Sequence, residues 1–109
     1  MSLLRGRNEL LEHLPYTMRN DKDVILAVGQ QFLHGKYALG CASYRLQDDK
    51  DVVLALVNFD GLALASASNR LRDDKEVVLS AIKNNTKSID YASDRLQNDS
   101  EVRSTAGLY

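Results

Sequence analysis

The chain is short of cysteine, histidine and basic charge: one Cys, two His, and 14 lysines and arginines against 15 aspartates and glutamates, for a formal net charge of −1 over 109 residues. Each shortage excludes something. Cys41 alone cannot form an internal disulfide, which fits a reducing, cytoplasmic setting. A nucleic-acid partner normally calls for a clustered basic face; none is visible, so no nucleic acid is expected. The longest apolar run, Val52–Val57, is far short of the roughly 20 residues that cross a bilayer. No membrane partner is expected either. "MSLLRGRNELLEH" has two arginines but no apolar stretch after them to make a Sec-type leader. A signal read by another secretion route would not show in this way.

The motifs of chemistry are missing too. His13 and His34 are isolated from each other and from Cys41, so no zinc ligand set can be assembled. "DDKDVVLALVNF", from Asp48, lacks the alternating acids and central glycine of a calcium loop. No glycine-rich phosphate loop occurs, and no nucleophile stands near a base. No catalytic residue, metal or cofactor is expected, and the chain is read as no enzyme.

What is present is a repeat. Hydrophobic residues make up 44% and charged residues 27%, as in a folded soluble domain, and the length suits one such domain. An acid-lysine-acid-valine tetrad begins at Asp21, Asp49 and Asp74, and returns as "DSEV" at Asp99; the intervals are 28, 25 and 25 residues. The first unit thus has three extra residues, placed within Gly29–Lys36. A second block recurs as "YALGCASYRL", "LALASASNRL" and "KSIDYASDRL". It repeats alanine at 42, 67 and 92, serine at 43, 68 and 93, arginine at 45, 70 and 95, and leucine at 46, 71 and 96.

Two helices per unit follow from this pattern. The tetrad predicts an N-cap at Asp48 or Asp73, with Asp51 or Glu76 completing a capping box, and a helix over about 49–59. That helix is apolar on nearly every side, so Leu79 is expected between layers. Leu64, Ala67, Ser68 and Leu71 fall at i, i+3, i+4 and i+7 and predict a second continuous helix over about 62–71. "FDG" and "NNT" supply the turns, where Gly and Asn accept positive φ. A pair so short cannot bury its own apolar faces, but stacked pairs can.

The expected fold is therefore all-α: a short α-solenoid of antiparallel helix pairs, about 25 residues per repeat, with three full repeats and a partial unit at each end. The boundaries are 1–20 (leading partial unit), 21–48, 49–73, 74–98 and 99–109 (trailing partial unit). Pro15 falls on the serine column and should shorten or kink the leading helix. Polar Arg103 and Ser104 replace Val53 and Leu54, so order should decay after Val102.

These residues resemble the tandem-repeat family called Domain of Unknown Function 4116. "DKEVVLSAIKN" at Asp74–Asn84 and "IDYASDRL" at Ile89–Leu96 match its two blocks with the right spacing, and the likeness runs from about Asp21 to Leu96. The insertion in the first unit and Ala65-Ser66 in the second depart from it. The resemblance implies an α-helical repeat occurring in long modular proteins, sometimes secreted bacterial effectors, and implies no activity.

Candidate binding residues come in two kinds. Arg45, Arg70 and Arg95 would form a ladder, either an anion- or acidic-peptide-binding stripe or a structural tie to the acids that begin the next unit. Positions that differ between units suit specificity: Tyr44 with Asn69 and Asp94, Cys41 with Ser66 and Tyr91, and Phe32, His34, Phe59 and Lys87 in the turns. The function expected is a non-enzymatic helical-repeat module that binds a protein or peptide or spaces other domains. The alternative is an accessory domain of a larger enzyme or secreted bacterial effector.

Overall fold

The structure, a computed structural model, describes residues 15–31 and 35–108. All regular structure among them is helical, with no strand. After a four-residue helix α1 (Tyr16–Arg19) come α2 (Lys22–Gln31), α3 (Gly35–Cys41) and α4 (Tyr44–Gln47). Then one series occurs twice: a ten-residue α-helix, a six-residue 3₁₀ helix and a four-residue α-helix. The first series is α5 (Lys50–Phe59), η1 (Gly61–Ser66) and α6 (Asn69–Arg72). The second is α7 (Lys75–Asn84), η2 (Thr86–Tyr91) and α8 (Asp94–Gln97), and α9 (Ser100–Thr105) closes the chain.

Capping explains where the long helices start. Asp49 Oδ1 accepts from the Val52 N–H at 3.2 Å and Asp74 Oδ1 from the Val77 N–H at 3.3 Å. Each relieves an amide with no intrahelical partner. The cap is the second acid of each pair, not Asp48 or Asp73. Asp51 and Glu76 do not fold back as a capping box either, because they face lysines of the preceding series.

The predicted second helix is broken. Ala67 (ψ 158°) and Ser68 (φ −62°, ψ 158°) are extended, so η1 ends before them and α6 starts after them; Ala92 and Ser93 repeat this. Serine is the cause. Its hydroxyl caps the following turn, accepting from the Leu71 N–H at 3.3 Å. Its own N–H leaves the helix direction altogether, as described below.

The turns also differ from expectation. Asp60 (φ −146°) and Asn85 (φ −149°) are extended, and their side chains accept from the Leu62 and Lys87 N–H groups to begin the 3₁₀ helices. Gly61 has no positive φ; Gly107 alone does among the described residues. Gly61 is needed for closeness instead. A Cβ there would stand 2.3 Å from the Ala81 carbonyl oxygen.

The core is one cluster running through the series. Leu46, Leu71 and Leu96 are its repeated anchors, joined by Val52, Val53, Leu56 and Val57 of α5 and by Val77, Val78, Ala81 and Ile82 of α7. Leu54 and Leu79 are only half-buried against it, so α5 and α7 have a solvent side and are not wrapped all round. Pro15 stands just before the four-residue α1, and its carbonyl accepts from the Met18 and Arg19 N–H groups. The chain also stays ordered past Val102, which is buried. Leu108 N–H bonds Arg103 O at 2.8 Å and Gly107 N–H bonds Ser104 O at 3.0 Å, with Gly107 at φ 81°. That is a Schellman closure of α9. His13, Phe32 and His34, and the leading segment 8–14, lie outside the described residues.

Candidate functional site: the polar seams and the groove beside the first

Each series is fastened to the one before it by the same four hydrogen bonds. Ser68 N–H donates to Gln47 O at 2.9 Å, and the Ser68 hydroxyl donates to Asp48 Oδ1 at 2.6 Å. Arg70 Nε donates to the same oxygen at 2.9 Å and Nη2 to Asp48 O at 2.6 Å. Ser93 and Arg95 repeat this on Arg72 and Asp73. Ser43 and Arg45 repeat it on Arg19 and Asn20. The Ser68 and Arg70 bonds hold the Asp48 carboxyl below the usual carboxylate range; Ser93 and Arg95 do the same for Asp73.

A second set of ties runs along the tetrads. Lys50 reaches Asp74 at 3.0 Å and Glu76 at 2.8 Å, Lys75 reaches Asp99 at 3.2 Å and Glu101 at 2.9 Å, and Lys22 lies 4.0 Å from Asp51. Glu76 and Asp74 push the Lys50 ammonium above its ordinary pKa, and Glu101 and Asp99 do so for Lys75. Burial works to raise the Asp74 carboxyl, but Lys50 and the Val77 amide outweigh it and the net direction is down. The Val102 amide and Lys75 lower Asp99. Every residue of the tetrad thus has a part: cap, forward cation, backward anion and core valine.

The arginine column is therefore exposed yet engaged. The side chains of Arg70 and Arg95 are 61% and 65% exposed, but Nε and Nη2 of each are committed to the preceding series. Tyr44 is the most open aromatic residue described, at 88%, and Phe59 is 59% exposed. Tyr91 is half-buried against the core, and its carbonyl accepts from Arg72 Nε at 2.7 Å. Where Phe59 stands in one series, Asn84 stands in the next, and it is occupied. It accepts from Gly61 N–H at 2.7 Å and donates to Asn58 O at 3.1 Å. The sequence reading missed Asn84 and the tetrad lysines, whose partners lie a whole series away.

Beside the Arg19–Asn20 seam is an open groove of about 300 Å³, lined by Arg19, Gly40, Cys41, Tyr44, Arg45 and Gln47 among others. Among the described residues, no group of three or more His, Cys, Asp or Glu side chains is placed to hold a metal ion, and no helix is long and apolar enough to cross a membrane.

The family model described as Domain of unknown function (DUF4116) matches three times in overlapping stretches, over residues 32–72, 49–97 and 74–106. The chain belongs to this family. The matched ranges include the seam residues Ser68, Arg70, Ser93 and Arg95. Comparison with curated proteins and with solved structures returned no match.

Proposed function

We propose that this DUF4116 chain is a non-enzymatic repeat module: a short solenoid of stacked antiparallel helix pairs that binds a protein or peptide. The recurring polar residues are taken up in fastening one unit to the next, which leaves the varying positions for recognition. One observation carries the reading. Tyr44 and Phe59 are the widely exposed large side chains at positions where neighbouring units carry Asn69 and Asp94, or Asn84. Aromatic side chains that the fold does not bury are the usual anchors of a protein interface.

The test is selection of peptides from a displayed library on the immobilised chain. An enriched peptide should bind in solution, and Tyr44→Ala together with Phe59→Ser should weaken it without shifting thermal unfolding. Failure to enrich any sequence, or binding indifferent to both substitutions, would count against a recognition role and leave the spacer role.

A further inference from the structure

The three arginine seams look alike but differ in charge. Arg70 and Arg95 each meet a carboxylate, Asp48 and Asp73. Arg45 meets the neutral carboxamide and carbonyl of Asn20, at 2.9 and 2.7 Å, and forms no ion pair among the described residues. The same geometry is kept, so the guanidinium is held in place with no carboxylate of the described residues paired to it.

That seam is also where the groove lies. Among the described residues it is lined by Arg19 and Arg45 and by no acid, with Tyr44, Ser43 and Gln47 also in its lining. Gln47 stands in the second seam where Arg19 stands in the first, so the second seam has one cation fewer as well as one anion more. Small Gly40 and Cys41 line the groove where the third unit carries Asp90 and Tyr91.

We infer that the groove beside Asn20 binds an oxyanion, carboxylate or phosphate, carried on a side chain of a partner peptide. Nη1 of Arg45 has no partner among the described residues and can donate to such a group. The Tyr44 ring, 88% exposed, offers the adjoining apolar contact. This site rests on the peptide-binding reading above and narrows it to one place and one chemistry.

The decisive variant is Asn20→Asp. It installs the acid that the other two seams already carry, so Ser43 and Arg45 keep their acceptor and the fold keeps its fastening. Two synthetic peptides, alike except for one glutamate or one phosphoserine, would be titrated into the ¹⁵N-labelled chain while the arginine Nε–Hε signals are followed. The expected result is movement of the Arg45 signal with at least one peptide, little movement of Arg70 and Arg95, and binding weakened about fivefold or more by Asn20→Asp and by added salt. The two peptides distinguish carboxylate from phosphate. Neither peptide binding, equal movement of all three arginines, or binding unchanged in Asn20→Asp overturns the proposal. A library-selected peptide that binds Asn20→Asp as well as the parent chain overturns the groove alone and leaves the module reading intact.

Discussion

Arg70 holds Asp48 at two points, with Nε 2.9 Å from the carboxylate Oδ1 and Nη2 2.6 Å from the main-chain carbonyl oxygen. The second contact needs no side chain on residue 48, and the first needs an oxygen but not a charge. Asn20 shows this, since Arg45 makes both bonds to it. Asp48→Asn should therefore shift the urea midpoint little, whereas Asp48→Ala, which also strips the Ser68 hydroxyl of its acceptor, should lower it clearly. Equal midpoints for the two variants would show that the side-chain oxygen is not what fastens the seam.

Gly61→Ala should be among the most damaging single-methyl additions in the chain. The new carbon would sit 2.3 Å from Ala81 O and 2.8 Å from Ser88 Oγ, and the first of these is backbone. Relieving the overlap means parting η1 from α7, at a cost of roughly 2–3 kcal/mol. Chemical denaturation should show the loss. A Gly61→Ala chain as stable as the parent would mean that the two elements are not held this close.

The core gives an ordered pair. Val78 is fully buried, while neighbouring Leu79 is only half-buried at the edge of the same core. Val78→Asp places an unpaired charge among apolar side chains and should abolish cooperative unfolding, while Leu79→Asp should leave a folded, weakened chain. Far-UV circular dichroism on heating separates the two outcomes, and the reverse order would reassign the buried face of α7.

The two long helices were legible in the sequence almost to the residue, because the apolar run after Asp49 and Asp74 has a local cause at its start: the carboxylate that caps it. The break at Ala67–Ser68 was not. Leu64, Ala67, Ser68 and Leu71 have the spacing of one continuous helical face, and that spacing survives when a 3₁₀ turn, two extended residues and a short α-turn replace the helix. What decides between them is the Ser68 N–H, which bonds Gln47 O in the preceding series. A partner 21 residues away leaves no trace in local periodicity. One trace did exist: serine in the same column of three units, followed by three helical residues, is an N-cap signature. The lysines and Asn84 were illegible for the same reason as the break, their partners being distant in sequence. The Arg45 groove depends on Asn20, a single substitution in a column that the repeat pattern had not yet identified.

Stability should fall away at both ends of the pH scale. Asp48, Asp73, Asp74 and Asp99 all have carboxyl pKa values lowered in the folded chain. A lowered carboxyl favours the fold above its unfolded pKa, near 3.8, and that contribution disappears as pH drops through the folded value. Lys50 and Lys75 are raised, so their contribution is complete below the ordinary lysine value of 10.5 and is lost as pH climbs through the folded one. Melting temperature against pH should be flat in the neutral range and fall on both flanks. In Lys50→Met with Lys75→Met the alkaline fall should shrink; the acid fall should shrink in part, through Asp74 and Asp99, while the share of Asp48 and Asp73 with their serine and arginine partners remains.

Ser88 is a place where a substitution should strengthen the chain. The residue is fully buried, and its hydroxyl has no hydrogen-bond partner. The matching positions in the two preceding units are Ala38 and Ala63, both buried, so the fold already accommodates alanine in this setting. A buried hydroxyl without a partner loses its hydration and receives nothing in return. Ser88→Ala removes that deficit and should raise unfolding stability by about 1 kcal/mol, seen as a higher urea midpoint with the slope unchanged. The neighbouring Gly61 makes the result diagnostic. Ser88 Oγ lies 2.8 Å from where a Gly61 Cβ would be, so the two elements meet face to face at this point. If Ser88→Ala instead lowered the midpoint, the hydroxyl would have a partner at that contact, and the close approach of η1 to η2 would be polar where it is now read as dry.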